Sequence, residues 1–170
     1  MTKLRWSVAV AVFAGAVFGC GVAFAAATTY AAGPVNKVAV VTSDTTSQVT
    51  STSFVEVPRA AVTITVPSGT TALLIARFTA QSMCGGAGSS VCSVRIVDNG
   101  TEMEPVSGPA FAFDSQSGTN CICLAESHSV ERVLRVSAGK HRIAVQALIG
   151  QPNNIRFELS NWLLRADVAA

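Results

Sequence analysis

Charged side chains are scarce in this chain of 170 residues, which contains 12 Lys and Arg, 10 Asp and Glu, and only two histidines. Beyond its first five residues the sequence has no run of basic residues, a feature that nucleic-acid-binding surfaces normally have. Aromatic residues account for only 6% of the sequence. These shortages predict that no nucleic acid is a partner and that function does not depend on a strongly charged surface.

Motifs of the common enzyme classes are also missing. The sequence lacks a Gly-x-Ser-x-Gly nucleophile elbow and both common types of glycine-rich phosphate loop. His141 has the parity of neighbouring core residues, whereas His128 lies near Glu126 among serines in "AESHSVE". A hydrolytic site at His128 stays open as an alternative, because such a site needs a base oriented by a carboxylate. The main prediction is that the protein is not an enzyme and uses no cofactor.

The acidic stretch "VDNGTEME" is the best candidate for a metal site. Asp98, Glu102 and Glu104 carry carboxylates of the kind that calcium prefers. However, Asn99-Gly100 within the stretch is a strong signal for a two-residue hairpin turn, and this turn explains the sequence without an ion. We therefore predict no metal site.

The first 25 residues have the three parts of an export signal. Lys3 and Arg5 supply positive charge, residues 6–26 are uncharged, and Ala23-Phe24-Ala25 provides small residues at a cleavage site. Two anchored alternatives stay open, an uncleaved apolar span and a lipid anchor at Cys20, which ends a lipobox-like "VFGC". Every alternative places the rest of the chain outside the cytoplasm, secreted or at the cell surface. Membrane contact is expected only through an uncleaved signal or a lipid anchor.

The part of the chain that follows the signal is nearly neutral. Without residues 1–25, ten basic and ten acidic residues remain. Leu73, Ile75 and Val97 are expected on strand faces, and proteins with little charge and apolar surface tend to associate. We predict a weak homo-oligomer.

Apolar and polar residues alternate with a period of two over most of this part. Val62, Ile64 and Val66 alternate with threonines, for example, and turn residues recur about every 8–12 positions. This pattern predicts an all-β fold, an antiparallel jelly-roll-like β-sandwich of eight to ten strands preceded by an N-terminal signal helix. Near the C-terminus the alternation changes phase, which predicts a β-bulge near Ser160–Asn161.

The predicted domains are a signal peptide at residues 1–25, a tether at 26–47 and the β-sandwich at 48–170. The tether is rich in small and polar residues and contains a Gly-Pro break. The second half of the Ser/Thr-rich stretch 42–53 is predicted to be an exposed edge strand, because Thr is common in strands and a strong strand follows it directly.

Two stretches, "VPRAAVTITVPSG" and "RVSAGKHRIAVQ", combine a turn and a strand in a way that is common in secreted bacterial modules. On these stretches the chain resembles secreted bacterial jelly-roll β-sandwich modules and, more distantly, the C1q/TNF-like fold. The resemblance implies a β-sandwich and, for the C1q/TNF-like fold, a trimer. It transfers no site residue to this chain.

The number and spacing of the cysteines are the sequence features most relevant to chemistry. Outside the signal there are four cysteines, Cys84, Cys92, Cys121 and Cys123. An even number in an exported chain favours disulfides, and the spacings match neither zinc sites nor Cys-x-x-Cys redox centres. A Cys121–Cys123 bridge would be a small strained ring, whereas crossed bridges close loops of about 30–40 residues, worth about 3–4 kcal/mol each. We predict disulfides that join Cys84 and Cys92 to Cys121 and Cys123, with both crossed arrangements left open.

The segment "PAFAFD" contains a pair of phenylalanines, Phe111 and Phe113. This pair is either a short core strand or an exposed contact for a glycan or a surface protein. We predict a secreted or cell-surface, non-enzymatic β-sandwich module for binding, adhesion or assembly. The alternative is an exported thiol-redox or hydrolytic enzyme that uses Cys121 and Cys123, or His128.

Overall fold

The computed structural model describes residues 28–86, 89–106, 108–116, 124–151 and 155–170. The signal predicted at residues 1–25, with its helix, lies outside them. No helix among the described residues is both long and apolar enough to cross a membrane. The described chain has a 3-10 turn at Gly108–Ala110 and eight strands: β1 Val35–Ser43, β2 Ser47–Val49, β3 Val55–Gly85, β4 Ser90–Asp98, β5 Thr101–Glu102, β6 Asp114–Gln116, β7 Glu126–Ile149 and β8 Arg156–Ala169.

The long strands β3 and β7 pair antiparallel along almost their whole length. The pairing is interrupted where residues 67–70 stand opposite the single residue Ala138. Pro67 lacks a backbone N–H, and Gly69 has a φ of 74°, so this segment leaves the sheet as an exposed turn. Breaks of this kind allow a strand to pass from one sheet into another. We call this region the bend end.

The bend divides the strands into two packed layers. One layer contains β1 and β2, β8, residues 71–85 of β3 and residues 126–137 of β7. The other contains residues 55–66 of β3, residues 139–149 of β7, and then β4 with β5 and β6. All pairings are antiparallel, and both layers contribute to one hydrophobic core. The predicted all-β sandwich-like fold is confirmed.

The core is built by the alternation that the sequence predicts. Phe78 and Trp162 come from neighbouring strands, are fully or almost fully buried, and place their ring centroids 6.2 Å apart. Truncating such a buried aromatic side chain to alanine typically costs about 3–5 kcal/mol. Arg77, next to Phe78, points outward and is exposed. The period of two therefore separates core from surface along parts of β3 and β8, whereas β4 and the end of β7 are buried on both faces.

Two local predictions are confirmed. The register between β3 and β8 shifts between the pairs Thr79–Leu163 and Gln81–Ser160, so a bulge at Asn161 and Trp162 lies next to the expected position, Ser160–Asn161. Asn161 has a φ of 46°, a conformation that asparagine tolerates better than most residues. Asn99-Gly100 joins β4 to β5 with positive φ at both positions, as a type I′ turn requires.

The prediction of a tether at residues 26–47 is wrong for residues 35–43. These residues form β1, which pairs with β8 from Val35 opposite Ala169 to Ser43 opposite Trp162. The segment before β1 is also held, because the Tyr30 hydroxyl donates a hydrogen bond to Glu104. β2 spans only Ser47–Val49, so it overlaps just the start of the strand predicted in the second half of 42–53, and residues 50–54 are not in a strand. β1 was missed because its side chains are small and half-exposed, so they give little core signal.

Candidate functional site

At the end of the sandwich opposite the bend, polar side chains from three strands meet. Ser82 Oγ of β3 lies 2.8 Å from Asp114 Oδ2 of β6 and 2.8 Å from His128 Nδ1 of β7. Ser82 is 1% exposed, whereas the His128 side chain is 30% exposed. We call this region, which includes the end of β3 and the start of β7, the open end. It is the strongest candidate for chemistry in the described chain.

The hydrogen-bonding capacities of these groups fix the direction of the contacts. An ionised carboxylate only accepts, and a serine hydroxyl has one proton to donate. Ser82 therefore donates to Asp114 and accepts from the Nδ1–H of His128. Nε2 of the imidazole is on the opposite side of the ring, 3.9 Å from the exposed carboxylate of Glu126. The cluster thus orients His128 and leaves Nε2 towards solvent.

This arrangement differs from that of a serine hydrolase. In a hydrolase the histidine takes the serine proton and the hydroxyl faces the substrate. Here the Ser82 hydroxyl is buried, and its proton is directed to Asp114. Ser82 therefore lacks the access and the proton acceptor that a nucleophile needs. Within this cluster, Nε2 of His128 is the group that a solute can reach.

The predicted crossed disulfides are wrong, because Cys84 is bonded to Cys92. Cys84 lies at the end of β3 in one layer, and Cys92 lies in β4 in the other layer. Both side chains point into the core, and their Cα atoms are 5.8 Å apart. Loop-closure entropy favours disulfides that close longer loops, but the fold places the sulfurs of Cys84 and Cys92 face to face. Cys121 and Cys123 lie outside the described residues.

A groove also opens at the open end. Its volume is about 380 Å³, and its lining includes Ser89, Ser115, Gln116 and Gln151. The groove floor includes Gly150, whose N–H donates to the Val91 carbonyl at 2.7 Å. Several of these side chains carry hydroxyl or amide groups, although most of the accessible surface of the groove is apolar.

The two phenylalanines of "PAFAFD" do not form an exposed pair. Phe113 lies in the core, with its ring 6.0 Å from that of Phe78 and 5.6 Å from that of His128. Its ring is therefore not accessible to a ligand in this structure. Phe111 is half-buried beneath the guanidinium of Arg132, 4.6 Å from its ring centre. Burial lowers the pKa of Arg132, and the nearby carboxylate of Glu102 partly offsets this effect.

The second histidine lies near the bend end. His141 Nδ1 is 2.7 Å from Asp98 Oδ2, and Nε2 is 3.0 Å from the Ser137 carbonyl. The imidazole therefore bridges the backbone of β7 and the Asp98 carboxylate of β4. His141 is 8% exposed and Asp98 is 5% exposed. The pair joins β4 to β7 and does not line a site, which places His141 in the rim of the core as predicted.

The three carboxylates considered for calcium have separate protein partners. Asp98 contacts His141, Glu102 accepts hydrogen bonds from Arg95 and from the N–H of Gly108, and Glu104 accepts one from Tyr30. Among the described residues there is no group of three His, Cys, Asp or Glu placed to hold a metal ion.

Strand β1 forms one edge of its layer and pairs only with β8 among the described residues. Val35, Val38 and Val40 on this strand are each about half exposed, at 49%, 51% and 50%. Its one charged side chain, Lys37, donates to the Thr65 carbonyl at 2.7 Å and so is directed towards β3. Proteins usually protect sheet edges with prolines, bulges or charges, and β1 has little such protection.

No protein-family model matches the chain, and no curated protein matches it. Among solved structures the chain is similar to the crystal structure of dimeric latent PorU from Porphyromonas gingivalis, with 11% sequence identity and a TM-score of 0.38. The similar region covers 84% of this chain and only 14% of the PorU chain.

Sequence reasoning missed several residues of these sites. Ser82 and Asp114 are 32 residues apart, so no local motif connects them. One signal existed, because Ser82 shares the inward parity of Phe78 and Ala80 and a buried serine needs a partner. The half-exposed valines of β1 gave no comparable signal.

Proposed function

We propose that this protein is an exported, non-catalytic β-sandwich module that functions by binding and assembly outside the cytoplasm. The observation that carries the proposal is the unprotected edge of β1, with three half-exposed valines. An exposed strand edge provides unpaired backbone donors and acceptors, and strand addition is a common way to use them. The export signal predicted at residues 1–25 and the buried position of Ser82 support the same proposal.

The partner that best fits the β1 edge is a second copy of this chain. If two β1 strands pair antiparallel about Ala39, Val38 of one copy stands opposite Val40 of the other. Lys37 then stands opposite Val41, so no like charges meet in the new ladder. Cross-strand pairs of this kind contribute roughly 0.2–1 kcal/mol each.

The neighbouring strand adds charge complementarity to this pairing. On β8, Asp167 is opposite Val38 and Arg165 is opposite Val40. In the paired assembly, each row of side chains therefore has Asp167 of one copy at one end and Arg165 of the other copy at the other. Because these charges are exposed and apart, the association is weak, with a dissociation constant of about 0.1–1 mM.

Light scattering over a concentration series tests this assembly. The wild-type protein is expected to form dimers as concentration rises, and a variant with both Val38→Lys and Val40→Lys is expected to stay monomeric. Val55→Lys is the matched control, because Val55 is 41% exposed on another strand. A wild-type protein that stays monomeric, or an equal effect of Val55→Lys, would contradict the proposal. A trimer would instead support the C1q/TNF-like resemblance.

The glycan hypothesis is tested separately. The groove at the open end is the proposed site, because several hydroxyl and amide side chains line it, and a glycan array probed with the wild-type protein is the direct assay. A hit that is lost in a Gln151→Ala variant but kept in Val38→Lys would place glycan binding in the groove. Hits that persist in both variants would place it elsewhere.

The second candidate function is thiol chemistry at Cys121 and Cys123. The Cys84–Cys92 disulfide favours it, because that bond leaves these two cysteines without the partners predicted for them. Titration of thiols in the folded protein separates the two functions. The binding module is expected to show fewer than two reactive thiols, whereas two or more would favour a redox role.

A further inference from the structure

In the part of the chain that the structure describes, three residues other than glycine have a positive φ: Arg59 at 65°, Asn99 at 48° and Asn161 at 46°. Asparagine adopts this conformation readily, because its short polar side chain bonds locally to the backbone. Arginine has no such advantage. Arg59 is therefore the one of the three whose side chain is not explained by backbone preference, and retained strain of this kind is frequent at functional positions.

Around Arg59, strand β3 bulges out of its pairing with β7. Between the pairs Glu56–Gln146 and Ala61–Ala144, four residues of β3 stand opposite one residue of β7. Val57 and Ala60 are completely buried, and Pro58 and Arg59 between them are exposed. Proline followed by a residue of positive φ is the pattern of a type II turn, which favours glycine or asparagine at the position that Arg59 occupies.

Arg59 lines a cavity of about 270 Å³ against the connection between β1 and β2. The remaining lining residues are Pro58, Ser43, Thr45, Thr46, Ser47 and Gln48. Four of them provide hydroxyl groups and one an amide, and Asp44 of the same connection is not part of the lining. Within the described part of the chain, Arg59 forms no ion pair.

We propose that this cavity binds an oxyanion group, a sulfate, phosphate or carboxylate, with Arg59 as its cationic ligand. A guanidinium presents several N–H donors in a fixed fork that matches such oxygens, and charge-assisted hydrogen bonds are the strongest available to a protein. The hydroxyls can donate as well. Ser43 Oγ already accepts from the Thr45 N–H at 3.1 Å, so its own proton is left for a ligand.

The test is a titration of the purified protein followed by NMR amide shifts, with inorganic sulfate, inorganic phosphate and sodium glucuronate as separate probes. Saturable shifts are expected at residues 45–48 and at Arg59 with at least one probe. The probe that binds most tightly distinguishes a sulfated, phosphorylated or carboxylated ligand. Absence of saturable shifts with all three probes would overturn the proposal.

Variants separate the charge of Arg59 from its strain. Arg59→Gly removes both, and it is expected to weaken binding at least tenfold while raising the melting temperature by about 2–5 °C. Arg59→Gln removes only the charge, so binding is expected to fall without a rise in melting temperature. Lys140→Gln, which removes an exposed cation from β7, is the charge control and is expected to leave binding unchanged.

An Arg59→Gly variant that binds like the wild type, or an equal loss of binding in Lys140→Gln, would overturn the site. A lower melting temperature with unchanged binding would assign Arg59 a structural role instead.

Discussion

The bend end and the open end of the sandwich each hold a histidine beside a carboxylate, and the two are used in opposite ways. At the bend end, His141 and Asp98 are both buried and in direct contact at 2.7 Å. At the open end, the half-exposed His128 reaches Asp114 only through the Ser82 hydroxyl. The first pair joins β4 to β7 through a buried contact, with Asp98 Oδ1 left without a hydrogen-bond partner among the described residues, whereas the His128 side chain of the second is partly exposed.

The two ends also differ in what connects the layers. The bend end is continuous, because β3 and β7 run through it from one layer to the other. Among the described residues, no strand crosses between the layers at the open end, and there the Cys84–Cys92 disulfide joins the layers. A sandwich whose strands cross between the layers at one end can therefore hold polar groups and grooves at the other end.

The largest expected effect on stability distinguishes the carboxylate of Asp98 from that of Asp114. Asp98→Ala is expected to lower the free energy of unfolding by about 3–5 kcal/mol, because it leaves the buried imidazole of His141 without its partner. Asp114→Ala is the matched variant at the open end and is expected to cost about 1 kcal/mol, because Asp114 is only partly buried and water can replace it.

Urea unfolding of both variants measures this difference. If Asp98→Ala does not fold, Asp98→Asn keeps the shape of the side chain and gives the same ranking. Equal losses for the Asp98 and Asp114 variants would remove the distinction between a structural and an accessible histidine.

An intermediate effect is expected from the disulfide. Replacing Cys84 and Cys92 together by alanine is expected to cost about 2.5 kcal/mol, which is the loop-closure entropy for a loop of about nine residues. Alanine is preferred to serine because both positions are buried. Denaturant unfolding of the double variant gives the value. A loss far below 1 kcal/mol would mean that packing alone holds the open end together.

The smallest expected effect comes from a surface pair beside His141. Arg142 donates two hydrogen bonds to Glu56, at 2.9 and 2.5 Å, and the Arg142 contact lowers the pKa of Glu56 from its usual 4.5. The stabilisation is therefore complete above pH 4.5 and is lost as pH falls through the lowered pKa. Because Glu56 is 39% exposed, solvent screening limits it to about 0.5 kcal/mol.

Unfolding of the wild type and of Glu56→Gln at neutral pH and near pH 3 tests the sign. The variant is expected to be less stable at neutral pH and equally stable in acid. A difference that grows in acid would show that Glu56 does not act through its charge.

Local signals predicted the parts of the fold that local chemistry determines. The hairpin at Asn99-Gly100 follows from residues that accept positive φ, and the alternation identified core strands and, by its change of phase, the bulge near Ser160–Asn161. The disulfide could not be predicted, because Cys84 and Cys92 meet only after β3 and β4 are in facing layers. The cluster of Ser82, Asp114 and His128 was hidden for the same reason, since its members come from three separate strands.

The position of β8 has a consequence for the order in which the protein can fold. β8 lies between β1 and β3, so two ladders of one layer can form only when residues 156–169 are available. Val35 pairs with Ala169, so contacts of this layer join residues that are very far apart in sequence. Proteins dominated by such contacts fold in roughly milliseconds to seconds. A chain that lacks residues 156–169 could still pair β3 with β7, but it would leave β1 without its partner and one edge of β3 unpaired.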